Sequence, residues 1–159
     1  MHIPDGYLSP QTYIPLYAAF IAVVGLAVKR LKEKLTVKLV PFLGMASAFA
    51  FLIMMFNIPI PGGSTGHAVG AAIIALVLGP WAAMTSVSVA LIIQALVFGD
   101  GGITAIGANC FNMAIVMPIA AIGVFKIVAG KSEKIVRLNI AAFLSGYISL
   151  NIAAVATAI

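Results

Sequence analysis

The sequence predicts an all-α membrane protein, a polytopic bundle of about six transmembrane helices with its N-terminus outside. Three observations predict it. Apolar residues make up 63% of the 159-residue chain and charged residues only 8%, against roughly 25% charged in soluble domains. The mean hydropathy is +1.18, which places the chain in lipid rather than water. The nine Lys and Arg fall into two tight clusters instead of dotting a surface. The same figures exclude a disordered chain, which would be polar, and one cysteine excludes a disulfide scaffold. A single transmembrane domain over residues 1–159 is expected.

A spanning helix needs ~20 mostly apolar residues. In order, the candidates are Tyr13–Val28, Leu39–Asn57, Gly66–Leu78, Trp81–Phe98, about Ala108–Val128 and Leu138–Ile159. Breaks fall between them: Pro41 near the second start, Gly79-Pro80 after the third, and Gly99-Asp100-Gly101-Gly102 after the fourth. No cleavable signal peptide is expected, because Met1–Pro10 has no basic start before the apolar run.

Charge sets the orientation. Lys29, Arg30, Lys32, Lys34 and Lys38 lie between the first two spans, and Lys126, Lys131, Lys134 and Arg137 between the last two. Basic loops stay in the cytoplasm, so an even number of crossings must separate the clusters. That requires two helices between Gly66 and Phe98, broken at Gly79-Pro80, rather than one kinked helix. All nine bases are then inside with Glu33 and Glu133, nine against two for a net +7, while Asp5 and Asp100 lie outside. The high isoelectric point, near 9.6, needs no nucleic-acid partner to explain it.

This topology brings the tail Met1–Pro10, the loop Ile58–Gly66 and the turn Gly99–Ile103 to the outer side, together with both histidines, His2 and His67. The third span, Gly66–Leu78, has 13 residues, or about 20 Å at 1.5 Å each, too short for a ~30 Å core. The Pro- and Gly-rich run Ile58–Thr65 is therefore expected to dip inward around a protein-lined cavity. Ser64 or Thr65 would cap the third helix and set His67 in its first turn.

Met1-His2 can chelate a metal through the terminal amine, the deprotonated His2 amide and His2 Nδ1. Five- and six-membered rings then hold three nitrogens in a plane with a fourth position open. Square-planar nitrogen sites favour Ni(II) and Cu(II). His67 is the natural fourth donor, since the positive end of a helix dipole keeps an imidazole neutral. His2 alone also fits a frayed tail, and His67 alone a hydrogen-bonded core histidine. Two histidines, one amine and a cavity-forming loop on one side favour the metal site.

Several nearby residues carry weaker readings. Ile3-Pro4-Asp5-Gly6 is a turn signal that could bend the tail back into the bundle. Gln94, Asn109 and Asn112 fit helix–helix contacts, with Asn109 the candidate to support the metal ligands. Asp100 could draw cations in but reads better as part of the Gly-rich turn, Cys110 could be a soft ligand but reads better as packing, and the methionines read as core or lipid face. Gly44/Ala48 and Ala46/Ala50 are small pairs four residues apart, fitting either internal packing or docking onto another membrane protein.

Met1-His2-Ile3-Pro4-Asp5-Gly6-Tyr7-Leu8-Ser9-Pro10, with Pro61-Gly62-Gly63-Ser64-Thr65-Gly66-His67, resembles the substrate-capture (S) subunits of cobalt/nickel energy-coupling factor transporters, the CbiM/NikM family. The resemblance covers essentially the whole chain. It implies a metal-capture domain that binds Ni(II) or Co(II) as transported substrate through Met1, His2 and His67. It also implies a membrane coupling (T) subunit, a pair of ATP-binding-cassette ATPases, and often a small accessory membrane subunit. The family looks seven-spanning, whereas this chain ends in or just after a sixth apolar stretch.

The expected function is thus capture of Ni(II) or Co(II) at the outer face of a prokaryotic inner membrane, without enzymatic activity or an organic cofactor. The chain has no Walker A motif, so ATP is expected to be hydrolysed only by partner subunits. Two alternatives stand beside this reading. An intramembrane metalloenzyme needs an open ligand position and a general base, and no His-Glu-x-x-His occurs. An S subunit for an organic vitamin would gather aromatic and hydrogen-bonding groups, yet Trp81 falls at the inner end.

Overall fold

A computed structural model describes residues 2–60 and 64–158. Six helices form the bundle among the described residues. Helix α1 is Pro10–Lys32, with Pro10 in its first turn and Lys29, Arg30 and Lys32 in its last, where cations complement the helix dipole. Helix α2 is Leu39–Met54. A short antiparallel pair follows, β1 Ile58–Ile60 and β2 Ser64–Gly66, with Pro59 opposite Thr65. Helix α3 is Ala71–Leu78. Helix α4, Pro80–Phe98, changes to π geometry over Gln94–Phe98. Helix α5, Ile106–Ala129, has a π segment at Phe111–Val116. Helix α6 is Ile135–Ala158.

Four of these helices, α1, α4, α5 and α6, are long and apolar enough to cross a membrane. The 16 residues of α2 reach about 24 Å at 1.5 Å per residue. The eight residues of α3 reach only about 12 Å.

Helix directions follow from long-range contacts. Ser86 Oγ donates to Leu43 O at 3.3 Å and Gln94 Nε2 to Phe51 O at 3.4 Å. A step of eight along α4 matches a step of eight along α2, so the two helices run parallel. The chain between them must reverse twice, and α3 is the returning arm. Its reversal into α4 takes one residue, Gly79 at φ 90° and ψ 165°, a conformation that side chains with a Cβ avoid. Pro80 then starts α4 where no backbone N–H is needed. Tyr17 of α1 donates its hydroxyl to Ile103 O, just before α5, so α1 and α5 start at the same end. Their basic C-terminal loops therefore share the opposite end, in accord with the even number of crossings that charge demands.

One expectation is corrected. Neither Ser64 nor Thr65 caps the third helix, because both lie in β2, where the backbone pairs with β1. The helix starts later, after Gly70 at φ 77°. His67 is consequently in the extended link between β2 and α3, not in a helical turn.

Small side chains fill the helix contacts. Ala27, Ala50, Ala83, Ala114, Ala121, Ala141 and Ala153 are all fully buried, which lets backbones approach closely where lipid provides no hydrophobic drive. Large apolar residues such as Val77, Ile127 and Phe143 face outward, as a lipid-solvated surface requires. The two small pairs of α2 separate here. Ala46 and Ala50 are buried inside the bundle, whereas Gly44 and Ala48 line an open groove beside α4. Ala46 and Ala50 are therefore internal packing and present no docking face.

Two outcomes are expected. With Cys110 replaced by alanine, Tyr7→Cys should be labelled only from outside intact cells and Ser132→Cys only from inside; labelling of both from one side would break the orientation argument. Ala50→Leu should destabilise the chain by about 1–3 kcal/mol through overpacking, while Ala48→Leu leaves SDS unfolding unchanged.

Candidate metal centre

The N-terminal tail is held by its own backbone and by one carboxylate. Ile3 N–H donates to Asn109 Oδ1 at 2.8 Å, and Ile3 O accepts from Asn109 Nδ2 at 3.1 Å and from Gly102 N at 3.0 Å. Asp5 accepts from the backbone N–H of Ile103 at 3.0 Å, from that of Thr104 at 2.8 Å, and from the Thr104 hydroxyl at 2.5 Å. These bonds hold the exposed Asp5 carboxyl below its ordinary value, the Thr104 hydroxyl contributing most. Gly102 is where tail and turn meet: a Cβ there would collide with the backbone nitrogen and Oδ1 of Asp5. The turn signal read at Ile3–Gly6 is thus a docked tail.

Docking delivers His2 to His67. Their ring centroids are 4.8 Å apart with planes inclined by 23°, although 65 residues separate them in sequence. The His67 residue is 4% exposed and the His2 side chain 8%. Burial pushes the His2 pKa down to about 4, outweighing the nearby Asp100 carboxylate, and burial likewise lowers that of His67. Both rings are therefore neutral at pH 7, each with a lone pair to offer. His67 Nδ1 lies 3.2 Å from Ala68 O, the second-nitrogen contact that a metal-binding imidazole ordinarily makes. That leaves His67 Nε2 buried without a partner, and His2 Nε2 is in the same condition.

Asp100 Oδ1 lies 3.4 Å from His2 Nδ1. Asp100 therefore faces His2 as well as shaping its turn, where the sequence favours the turn alone. Gln94 is fully buried at the first residue of the α4 π segment, with Oε1 unpartnered. Nothing local in the sequence sets Gln94 apart from a helix–helix contact; its position six residues before Asp100 was the available signal. Asn109, the expected supporting residue, grips Ile3. Asn112 instead ties α5 to α6 through Ala153 O and Thr157 Oγ1. Cys110 is buried in the apolar core.

Among the described residues no three His, Cys, Asp or Glu side chains gather as a metal cluster. Two imidazoles alone are an incomplete donor set for a metal ion. Met1 lies outside the described residues.

A family model described as the cobalt uptake substrate-specific transmembrane region, CbiM, matches residues 2–159. The chain belongs to the CbiM family. The fused nickel transport protein NikMN of Rhodobacter capsulatus is 49% identical over 160 residues, covering 100% of this chain and 46% of that protein. The cobalt transport protein CbiM of Ruminiclostridium cellulolyticum is 36% identical over 130 residues, covering 80% of this chain and 52% of its own length. A crystal structure of a truncated transition metal transporter superposes with a TM-score of 0.93 at 49% identity, covering all of this chain and 73% of that one. The chain spans about half the length of several curated relatives it matches. This is a transmembrane family of metal-transport proteins, and the fold shared here is that of the solved transporter.

Because the folded Asp5 pKa is depressed, its contribution is present above the ordinary carboxyl value of 3.8 and fades as pH falls through the lower folded value. Asp5→Ala should abolish that acid dependence of tail docking and speed hydrogen exchange at the Ile103 and Thr104 amides. Exchange equal to that of the unaltered chain would remove the carboxylate from this role.

Proposed function

We propose that this CbiM-family chain is the substrate-capture subunit of an energy-coupling factor transporter, taking Ni(II) or Co(II) at the outer face of a prokaryotic inner membrane. One observation carries the proposal. The only two histidines of the chain meet at 4.8 Å as buried rings, each with an unpartnered Nε2. An orphaned buried polar atom is costly, and a site that leaves two of them together is suited to a ligand that engages imidazole.

In this reading the Met1 amine, the His2 amide nitrogen and His2 Nδ1 chelate the cation in one plane, and His67 Nε2 closes the square. Loss of an amide proton needs a strongly polarising cation, which selects against Mg(II) and Ca(II). Burial keeps water and protons from competing for the donor nitrogens. The chain itself does no chemistry on a substrate. A coupling subunit and paired ATPases supply the energy, as in such transporters, which often add a small accessory membrane subunit.

Purified protein should bind a single Ni(II) with the visible absorption of a low-spin planar complex, and His67→Ala should weaken binding and shift that band. An octahedral spectrum independent of His67 would misplace the site. Acetylating Met1 should abolish binding. Adding a glycine before Met1 should let the isolated tail peptide still chelate through amine, two amides and imidazole. The transporter should nevertheless lose uptake, since the tail is then up to ~3.5 Å too long.

A further inference from the structure

Two buried, unpartnered atoms at the outer end suggest a task for Gln94. Its Oε1 is buried without a partner, and so is His2 Nε2. Asp100 brings the two together: its N–H is bonded to the Gln94 carbonyl at 3.0 Å and its Oδ1 lies 3.4 Å from His2 Nδ1, and the Gln94 side chain in turn influences the His2 ring without a formed bond in this arrangement. Gln94 is held from two other directions. Its Nε2 donates to Phe51 O at 3.4 Å, which turns the amide so that Oε1 is the atom left over. Its backbone carbonyl accepts from Gly99 N–H, closing the π turn, and from Asp100 N–H at 3.0 Å. Single π turns inside helices concentrate at functional sites, and this one sets a buried glutamine side chain against a tail rather than against lipid.

A neutral imidazole carries one N–H, and the partner of that N–H decides which nitrogen is free to bind metal. A proton on His2 Nδ1 faces Asp100 Oδ1 at 3.4 Å, long for a charge-assisted hydrogen bond, and it blocks the chelate. A proton on Nε2 leaves Nδ1 open but needs an acceptor in a dry place. We propose that Gln94 Oε1 is that acceptor: it is a positioning residue that fixes His2 as the Nε2–H tautomer and so holds Nδ1 ready for the cation. The inference rests on the proposed ligand set. It assigns Gln94 no bond to the metal.

Ni(II) titration of the full chain in detergent, with Gln94→Leu and Gln94→Glu, tests it. Gln94→Leu removes the acceptor and should weaken binding roughly 10–100-fold, the usual effect of losing an outer partner of a metal-bound histidine. Its saturated visible band should match that of the unaltered chain. Gln94→Glu keeps an acceptor but loses the donor to Phe51, and should hold affinity within a few-fold. Nitrogen-15 spectra of histidine-labelled, metal-free, unaltered chain should show His2 protonated on Nε2, a readout that survives if a variant misfolds. A proton on Nδ1, unchanged affinity in Gln94→Leu, or a shifted band at saturation would each overturn the assignment. His2→Ala and His67→Ala separate the two readings: retained Ni(II) binding there sinks the ligand set itself. Binding lost there but kept in Gln94→Leu sinks only the part given to Gln94.

Discussion

A tail that joins no helix or sheet must be fixed atom by atom, because ordering each backbone residue costs about 1–2 kcal/mol. The peptide of Ile3 is where this chain meets that cost. Both of its polar atoms are satisfied by Asn109, and its carbonyl also by Gly102. Two residues further on, Asp5 grips the amides of Ile103 and Thr104. His2 is the next residue in the other direction, so its place against His67 is inherited from Ile3. The same grip explains why the turn between α4 and α5 is rich in glycine. The tail lies where side chains of residues 101 and 102 would otherwise be.

The bundle supplies what the tail grips. α4 and α5 reach the outer end with π segments, and each presents a buried amide near it: Gln94 from one and Asn109 from the other. Burial then does two things at once. It leaves both imidazoles neutral, and it makes every unpartnered polar atom expensive. The histidine pair is thus electrostatically quiet and chemically unsatisfied, a combination that favours a cation able to bind nitrogen directly.

Much of this was legible in the sequence, for physical reasons that can be named. Apolar length and the two basic clusters located the helices, and the parity of crossings identified Gly79-Pro80 as a reversal. The parallel run of α2 and α4 bears that out. Met1-His2 and His67 were picked because their donor atoms suit one chemistry, and the fold places His2 beside His67. The start of α3 is not legible locally, because Ser64 and Thr65 carry a capping signal while their backbone is engaged with Ile60 and Pro59 instead. Ala46 and Ala50 could not be told from Gly44 and Ala48 without knowing which face of α2 meets α4. The π turns carry no composition signal, and Gln94 gains meaning only from a residue 92 positions away.

The brevity of α3 has a consequence for the solvent. Where this helix stops short, α2, α3 and α6 leave a depression of about 380 Å³ lined by Ile53, Ile73, Phe143, Tyr147 and Leu150, among others. Apart from the Tyr147 hydroxyl its lining side chains are apolar, so the depression suits acyl chains better than water. Lipid tails seated there would touch Ala68, Val69 and Gly70, so the host bilayer would act on the link between β2 and α3. That link carries His67. Membrane composition, and the detergent chosen to replace it, would then bear on one half of the histidine pair.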